Sequence, residues 1–263
     1  MTMRVGLLAG RTLREHHLRA LEPILADRQF EVPLMLVDAR PPKTARRKVM
    51  DHLRKGRGAY VLVLALESLR AKPTRGVDAR EFCRQNGIEF LETDSPYASQ
   101  IRDRLRAHHL DVLALLCGFG IIRAPLLGVC PQGILSYHHG DMRKYRGMPP
   151  GLWELYHGEK EIGITVQKLA AGLDCGLPIE EKHIPIRPND TLEALQARLR
   201  IEGQGLLYAA LKKMADADFT PASICELGTV YTLPNLRQWL TLQGRIAYRR
   251  LRCRLSCHSA EDS

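Results

Sequence analysis

The sequence predicts an α/β fold: a mainly parallel, twisted sheet with helices on both faces, followed by a basic helical C-terminal extension. Three observations predict it. Through the first half of the chain, short apolar runs alternate with segments whose apolar residues recur at helical spacing, the mark of strand–helix crossover units. The runs are almost continuously apolar, as in DVLALLCGFG, which suits strands covered on both faces. Beyond residue 235 leucines and arginines alternate at helical spacing.

The elements follow in order. MRVGLLA (3–9) is a first strand ending at Gly10. RTLREHHLRALEPILAD carries Leu13, Leu18, Leu21, Ile24 and Leu25 at helical spacing. FEVPLMLVDA reads as a second strand despite Pro33. Residues 43–70 read as helix-rich, with YVLVLALESL open to either type. GIEFLET is a short strand, and SQIRDRLRAHH is a helix with a polar start at Ser95 or Ser99. DVLALLCGFG and GILSYHH are buried strands. GITVQK and LPIEEKHIPI form one local strand unit around a glycine-bounded loop. Asp190 with Glu193 has the spacing of a capping box and introduces one long amphipathic helix, TLEALQARLRIEGQGLLYAALKKMADAD. Residues 218–235 look irregular, and Leu236 to Leu255 is a basic helix. The expected division is a catalytic domain at 1–217 and an extension at 218–263.

Composition narrows the class. A chain of 263 residues, 45% hydrophobic and 26% charged, has enough apolar material for a substantial core. Of the net charge of +10, +4 falls in residues 236–263, where six arginines face Glu261 and Asp262. Leu236, Leu240, Ala247, Leu251 and Leu255 lie near one face of that helix. This fits a helix packed on the domain with a solvated basic side, or contact with an anionic membrane surface or polyanion. Seven scattered cysteines with no CxxC pair point to reduced thiols and a cytoplasmic setting. The N-terminal apolar core is short for a signal peptide, and no run approaches the ~18 apolar residues of a membrane span.

Candidate site residues gather between residues 112 and 176. LLCGFGII and ILSYHH both end where α/β sheets bind ligands, beyond the carboxyl ends of their strands. KYRGMPPGLW, GEKEIGITV and AGLDCG follow. In this order the segments resemble the formyltransferase family, whose members act on methionyl-tRNA, glycinamide ribonucleotide or sugar nucleotides. That family carries a glycine-rich strand end and a strand closing in Asn-x-His-Pro-Ser-Leu-Leu-Pro. A Tyr-Arg-Gly turn, a Pro-Trp helix, Gly-x-Thr and Gly-x-Asp-x-Gly come next. The spacing matches without gaps from Gly133 to Gly176.

The resemblance implies a Rossmann-type formyltransferase fold and roles by position. His138 falls on the catalytic histidine, Asp174 on the catalytic aspartate and Ser136 on the family's asparagine. The folate crevice would run along Gly118, Phe119, Gly120, Ile121 and Ile122 and the loop Ala171, Gly172 and Leu173. His139, Arg143, Lys144 and Arg146 are the candidates for acceptor contacts, and GLLAGRTLREHH is a candidate substrate edge. The chemistry needs these residue types. An amine attacking a formyl carbon generates an oxyanion, which requires donors aimed at the developing charge. An imidazolium supplies one, and a nearby carboxylate stabilises it and moves protons.

Two departures stand out. Serine replaces asparagine at 136, and His139-Gly140-Asp141-Met142-Arg143 replaces Pro-Ser-Leu-Leu-Pro. The implied function is formyl transfer from 10-formyltetrahydrofolate to an amine on a small acceptor, anionic acceptors such as an amino-sugar nucleotide included. The alternatives are formyl hydrolysis, other diverged one-carbon chemistry, or a binding module with a decayed site. Only about 45 residues follow the last long helix of the catalytic region, so a tRNA acceptor is disfavoured. Adjacent histidines on a strand point to opposite faces. His138, His139, Asp141 and His183 therefore make an awkward ligand set, and no metal is expected.

Overall fold

A computed structural model describes residues 2–41 and 76–261, with the single positions 44, 50 and 54 between them. The helix-rich reading of 43–70 lies outside the described residues. Among the described residues seven strands form the main sheet in the order β11-β10-β8-β7-β1-β4-β6, with β3 (Phe30–Glu31) paired to β1 as an eighth. They are β1 (Met3–Ala9), β4 (Leu34–Asp38), β6 (Glu89–Thr93), β7 (Val112–Leu115), β8 (Ile134–His138), β10 (Glu161–Lys168) and β11 (Leu177–Pro185). The pairs from β6 through β8 are parallel, while β10 runs antiparallel to both β8 and β11.

Helices cover both faces. One core joins Val5, Leu7 and Ala9 of β1 to Leu21 and Ile24 of α1 (Glu15–Ala26) and to Leu207 and Leu211 of α7 (Leu206–Met214). The other joins Leu8 to Ile101 and Leu105 of α3 (Ser99–Ala107) and Leu126 of α4 (Ala124–Leu127). Alternate residues of one strand thus feed two cores. That is why the strand reads as a continuous apolar run.

The structure corrects several expectations. The strand expected across 30–39 splits into β3 and β4 around Pro33, which cannot donate to the ladder. The single helix expected from 191 is two: α6 (Leu192–Glu202) and α7, parted by Gly203 to Gly205. Glycine is a poor helix former, and the Tyr137 hydroxyl of β8 fixes the break. It donates to the Gly203 carbonyl at 2.9 Å and accepts from the Leu207 N–H at 3.2 Å. The cap of α6 is Thr191, whose Oγ1 accepts from the Ala194 N–H at 3.1 Å. Asp190 is instead buried, accepting from Arg198 at 2.6 Å and from the Arg187 N–H at 2.8 Å.

Short elements escaped the pattern altogether. β2 (Thr12–Arg14) pairs with β5 (Gly76–Asp78), and α2 (Ala79–Asn86) follows. Residues 218–235 contain β12 (Thr229–Tyr231), which runs parallel to β9 (Tyr145–Gly147). The basic helix, α8, extends over Leu236–Glu261. It packs beside α5 (Leu152–His157), and among its described residues Leu242 and Ile246 are buried. The stripe expected as one face does exist, but it points outward: Leu240, Leu251 and Leu255 are all more than half exposed. Among the described residues no helix is long and apolar enough to cross a membrane.

Candidate functional site

The chain runs from β1 through β4 to β6 on one side, then returns to β7 and β8 on the other. At such a switch point the carboxyl ends of the strands open a crevice. Here it holds about 960 Å³ including its mouth. Gly120, Ile121 and Ile122 line one wall, Ser136 and His138 the floor, and Gly172, Leu173 and Asp174 the opposite lip. Gly118, Phe119 and Ala171, expected beside them, are not in its lining. Phe119 is buried at a positive φ of 41°, with its carbonyl accepting from Arg40.

Strand alternation sorts the β8 side chains. Ser136 and His138 share a face, with Gln167 and Thr165 of β10 opposite them in register. Tyr137 and His139 take the other face, their rings stacked at 6.0 Å.

His138 is buried, and both ring nitrogens have partners. Nε2 lies 2.9 Å from the Tyr145 carbonyl, which can only accept, so Nε2 carries a proton. Nδ1 lies 3.5 Å from Asp174 Oδ1. Burial by itself would lower the pKa of His138. The Asp174 hydrogen bond and charge, the Tyr145 carbonyl and the Glu154 charge outweigh it, and the net shift is upward. For Asp174, burial pushes the pKa up, but the bond and charge of His138, with the Gly147 amide and Gln167, carry it down overall. The pair is therefore held as imidazolium and carboxylate. An imidazolium whose Nδ1 edge meets an open crevice is able to donate to an anion forming there.

The Asp174 loop is built to hold that carboxylate. Asp174 has a φ of 47°, a conformation few side chains tolerate and aspartate tolerates better than most. Its Oδ2 accepts from the Gly147 N–H at 2.8 Å and its Oδ1 from Gln167 Nε2 at 3.4 Å. Gln167 Oε1 in turn accepts from the Gly176 N–H at 3.1 Å. Gly147, the glycine of KYRG, is obligatory. It has a φ of 92°, and a side-chain carbon there would fall 2.1 Å from the Tyr231 carbonyl oxygen.

The remaining expected residues divide. The Ser136 hydroxyl lines the crevice and, among the described residues, has one weak partner, the Tyr137 carbonyl at 3.5 Å. His139 also borders the crevice. Its pKa is lowered to about 4, by burial first and then by His138, Arg200 and His16, so it stays neutral. Arg143 does not offer its fork to the crevice. It grips both Glu181 oxygens, at 2.7 and 3.0 Å, and touches Asp141. Lys144 lies 3.7 Å from Glu159. Arg146 clamps the site from behind, donating to the Gly228 carbonyl at 2.7 Å and to the Leu173 carbonyl at 3.2 Å. Among the described residues no cluster of three His, Cys, Asp or Glu side chains is suited to hold a metal ion.

Sequence reasoning missed Gln167, Tyr145 and Glu154. Gln167 was within reach, because it alternates with Thr165 on the strand leading to the Asp174 loop. Glu154 gave no signal beyond a charge in a helix.

This geometry is accompanied by a match in sequence. The profile described as Formyl transferase matches residues 46–211, and the chain belongs to that family. The methionyl-tRNA formyltransferase of Anaeromyxobacter sp. (strain K) is 28% identical over 152 residues, which is 58% of this chain and 49% of the relative. The chain spans about half the length of the curated relatives it matches. Among solved structures, glycinamide ribonucleotide transformylase 1 from Symbiobacterium toebii aligns with a TM-score of 0.57 at 22% identity, covering 81% of this chain and 88% of that one. A sugar N-formyltransferase from a Shewanella species aligns at 0.59 and 14%, covering 94% and 88%. Both share the fold. The expectation against a tRNA acceptor gains no support, since the matched relatives are methionyl-tRNA formyltransferases.

Proposed function

We propose that this protein transfers a formyl group from 10-formyltetrahydrofolate to a primary amine on a small acceptor, with an amino-sugar nucleotide as the leading class. The observation that carries this reading is the His138–Asp174 pair, 3.5 Å apart at the lip of a crevice of folate-compatible size. The crevice fits a flat reduced-folate head: Ile121, Ile122, Leu169 and Leu173 supply apolar walls, and the Gly120 and Gly172 backbones supply polar edges. The donor's contribution is a formyl carbon open to attack.

The chain's residues do the rest. His138 presents the Nδ1 proton to the oxygen that becomes negative. Asp174 holds the imidazole charged and takes the proton released by the amine, through water where the amine lies out of reach; the formyl C–N10 bond of the donor then breaks and tetrahydrofolate leaves with that proton on N10. Ser136 adds a hydroxyl donor where the family pattern has an amide. On the His139 side of the strand the cation is Arg200, whose charge reaches the neutral His139 ring. This favours acceptors that carry phosphate or carboxylate.

The test is incubation of the purified protein with 10-formyltetrahydrofolate and a panel of acceptors: amino-sugar nucleotides, glycinamide ribonucleotide and methionyl-tRNA. The expected result is formyl transfer to a small amine. Transfer to methionyl-tRNA alone would replace the acceptor class, and formate release with no acceptor present would replace transfer with hydrolysis. Absence of all three would overturn the proposal.

A further inference from the structure

Behind His138, on the side away from Asp174, sits a second acid. Glu154 of α5 is only 3% exposed, and neither the mechanism above nor the family pattern uses it. It lines, with His138, a small pocket of about 210 Å³ including its mouth, bordered also by Tyr145, Trp153 and Tyr231. The wedge between the two side chains is Gly140. A side-chain carbon on Gly140 would lie 2.9 Å from His138 Nε2 and 3.4 Å from Glu154 Oε1. The imidazole and the carboxyl therefore face each other across a gap no wider than those two distances end to end. The same carbon would lie 3.1 Å from the Tyr145 oxygen that holds Nε2. Gly140 stands where the family pattern has serine, so this chain clears the space between His138 and an acid it has placed there.

We infer that Glu154 is a positioning residue for His138: its carboxylate, reached through the Gly140 gap, helps hold the imidazolium from the Nε2 side and sets the pH above which the site fails.

The electrostatic surroundings agree. Burial first, then Glu159, raises the Glu154 pKa to about 7, against its own amide and that of Gly151 and the His138 charge. The His138 pKa is raised as well, and each group's charge acts on the other, so the two titrate as a coupled system. The groups around them are Asp174 on the Nδ1 side, the neutral His139 next in the chain, Tyr145 and Arg146 of β9, Glu159 beyond α5, and Tyr231 of β12. Glu159 accepts from the Tyr145 hydroxyl at 2.9 Å and faces Lys144. That leaves Glu154 as the carboxylate behind the ring that shares the His138 cavity.

The inference rests on the reading of His138 as the working acid, and the experiment separates the two. The His138 ring is titrated by NMR in the full-length protein without substrate, for wild type and Glu154→Gln. Removing the negative charge is expected to lower the His138 midpoint by about one pH unit. The basic limb of kcat/KM should move down by the same amount. A midpoint unchanged within about 0.2 unit, well below such a shift, overturns the inference. A midpoint that moves while the limb stays fixed supports the coupling and removes His138 from its role as the acid. If Glu154→Gln does not fold, the wild type decides. The Glu154 carboxyl carbon and the His138 ring should each show both inflections, and two independent single titrations would overturn the coupling.

Discussion

The two halves of the central sheet differ in what they bury. Around β1, β4, β6 and β7 the buried side chains among the described residues are apolar: Val5, Leu7, Leu8, Leu36, Leu113 and their neighbours. The buried polar and charged residues His138, Glu154, Thr165, Gln167 and Asp190 all lie on or beside the β8–β10–β11 side. A buried polar group costs stability unless its hydrogen bonds are made. This chain concentrates that cost in one place and satisfies it with a connected set: Tyr145 to His138 to Asp174 to Gln167 to Gly176. The difference teaches that the parallel half is scaffold, whereas the half where β10 reverses direction holds the candidate site. The reversal is what brings Gln167 and the Asp174 loop back over the end of β8.

The contrast breaks most visibly in the scaffold. Leu8→Ala removes a fully buried side chain between α3 and α4, and should cost about 2–5 kcal/mol in urea unfolding. Turnover per folded molecule should hold. Loss of turnover in the molecules that remain folded would show that the two halves are not separable. The small end of the scale is Arg143→Ala. Its pair with Glu181 is partly exposed, so the stability change should stay under about 1 kcal/mol. The acceptor KM should not move, because the guanidinium is already committed. A large rise in KM would return Arg143 to the acceptor contacts that its place in the sequence first implied.

The pattern of what was legible follows from the range of the interactions. The α/β class and the strands ending at Gly118 and His138 could be read from local apolar runs, because both faces of the sheet are covered. The approach of His138 to Asp174 could be read from the ordered motifs, since β10 pairs with β8 and leads directly into the Asp174 loop. The pairing of Arg143 with Glu181 was not legible because that partner is 38 residues away on β11. The break between α6 and α7 depends on a hydroxyl from β8, which no helical periodicity registers. Glu154 became visible only once Gly140 was seen to leave a gap between it and the imidazole.

The most direct test of the central claim is turnover by His138→Ala, counted per folded molecule against wild type at saturating donor and acceptor. If this imidazole donates to the charge formed during transfer, kcat should fall by about a hundredfold or more. Activity retained within about tenfold, below what a general acid ordinarily contributes, would contradict the account.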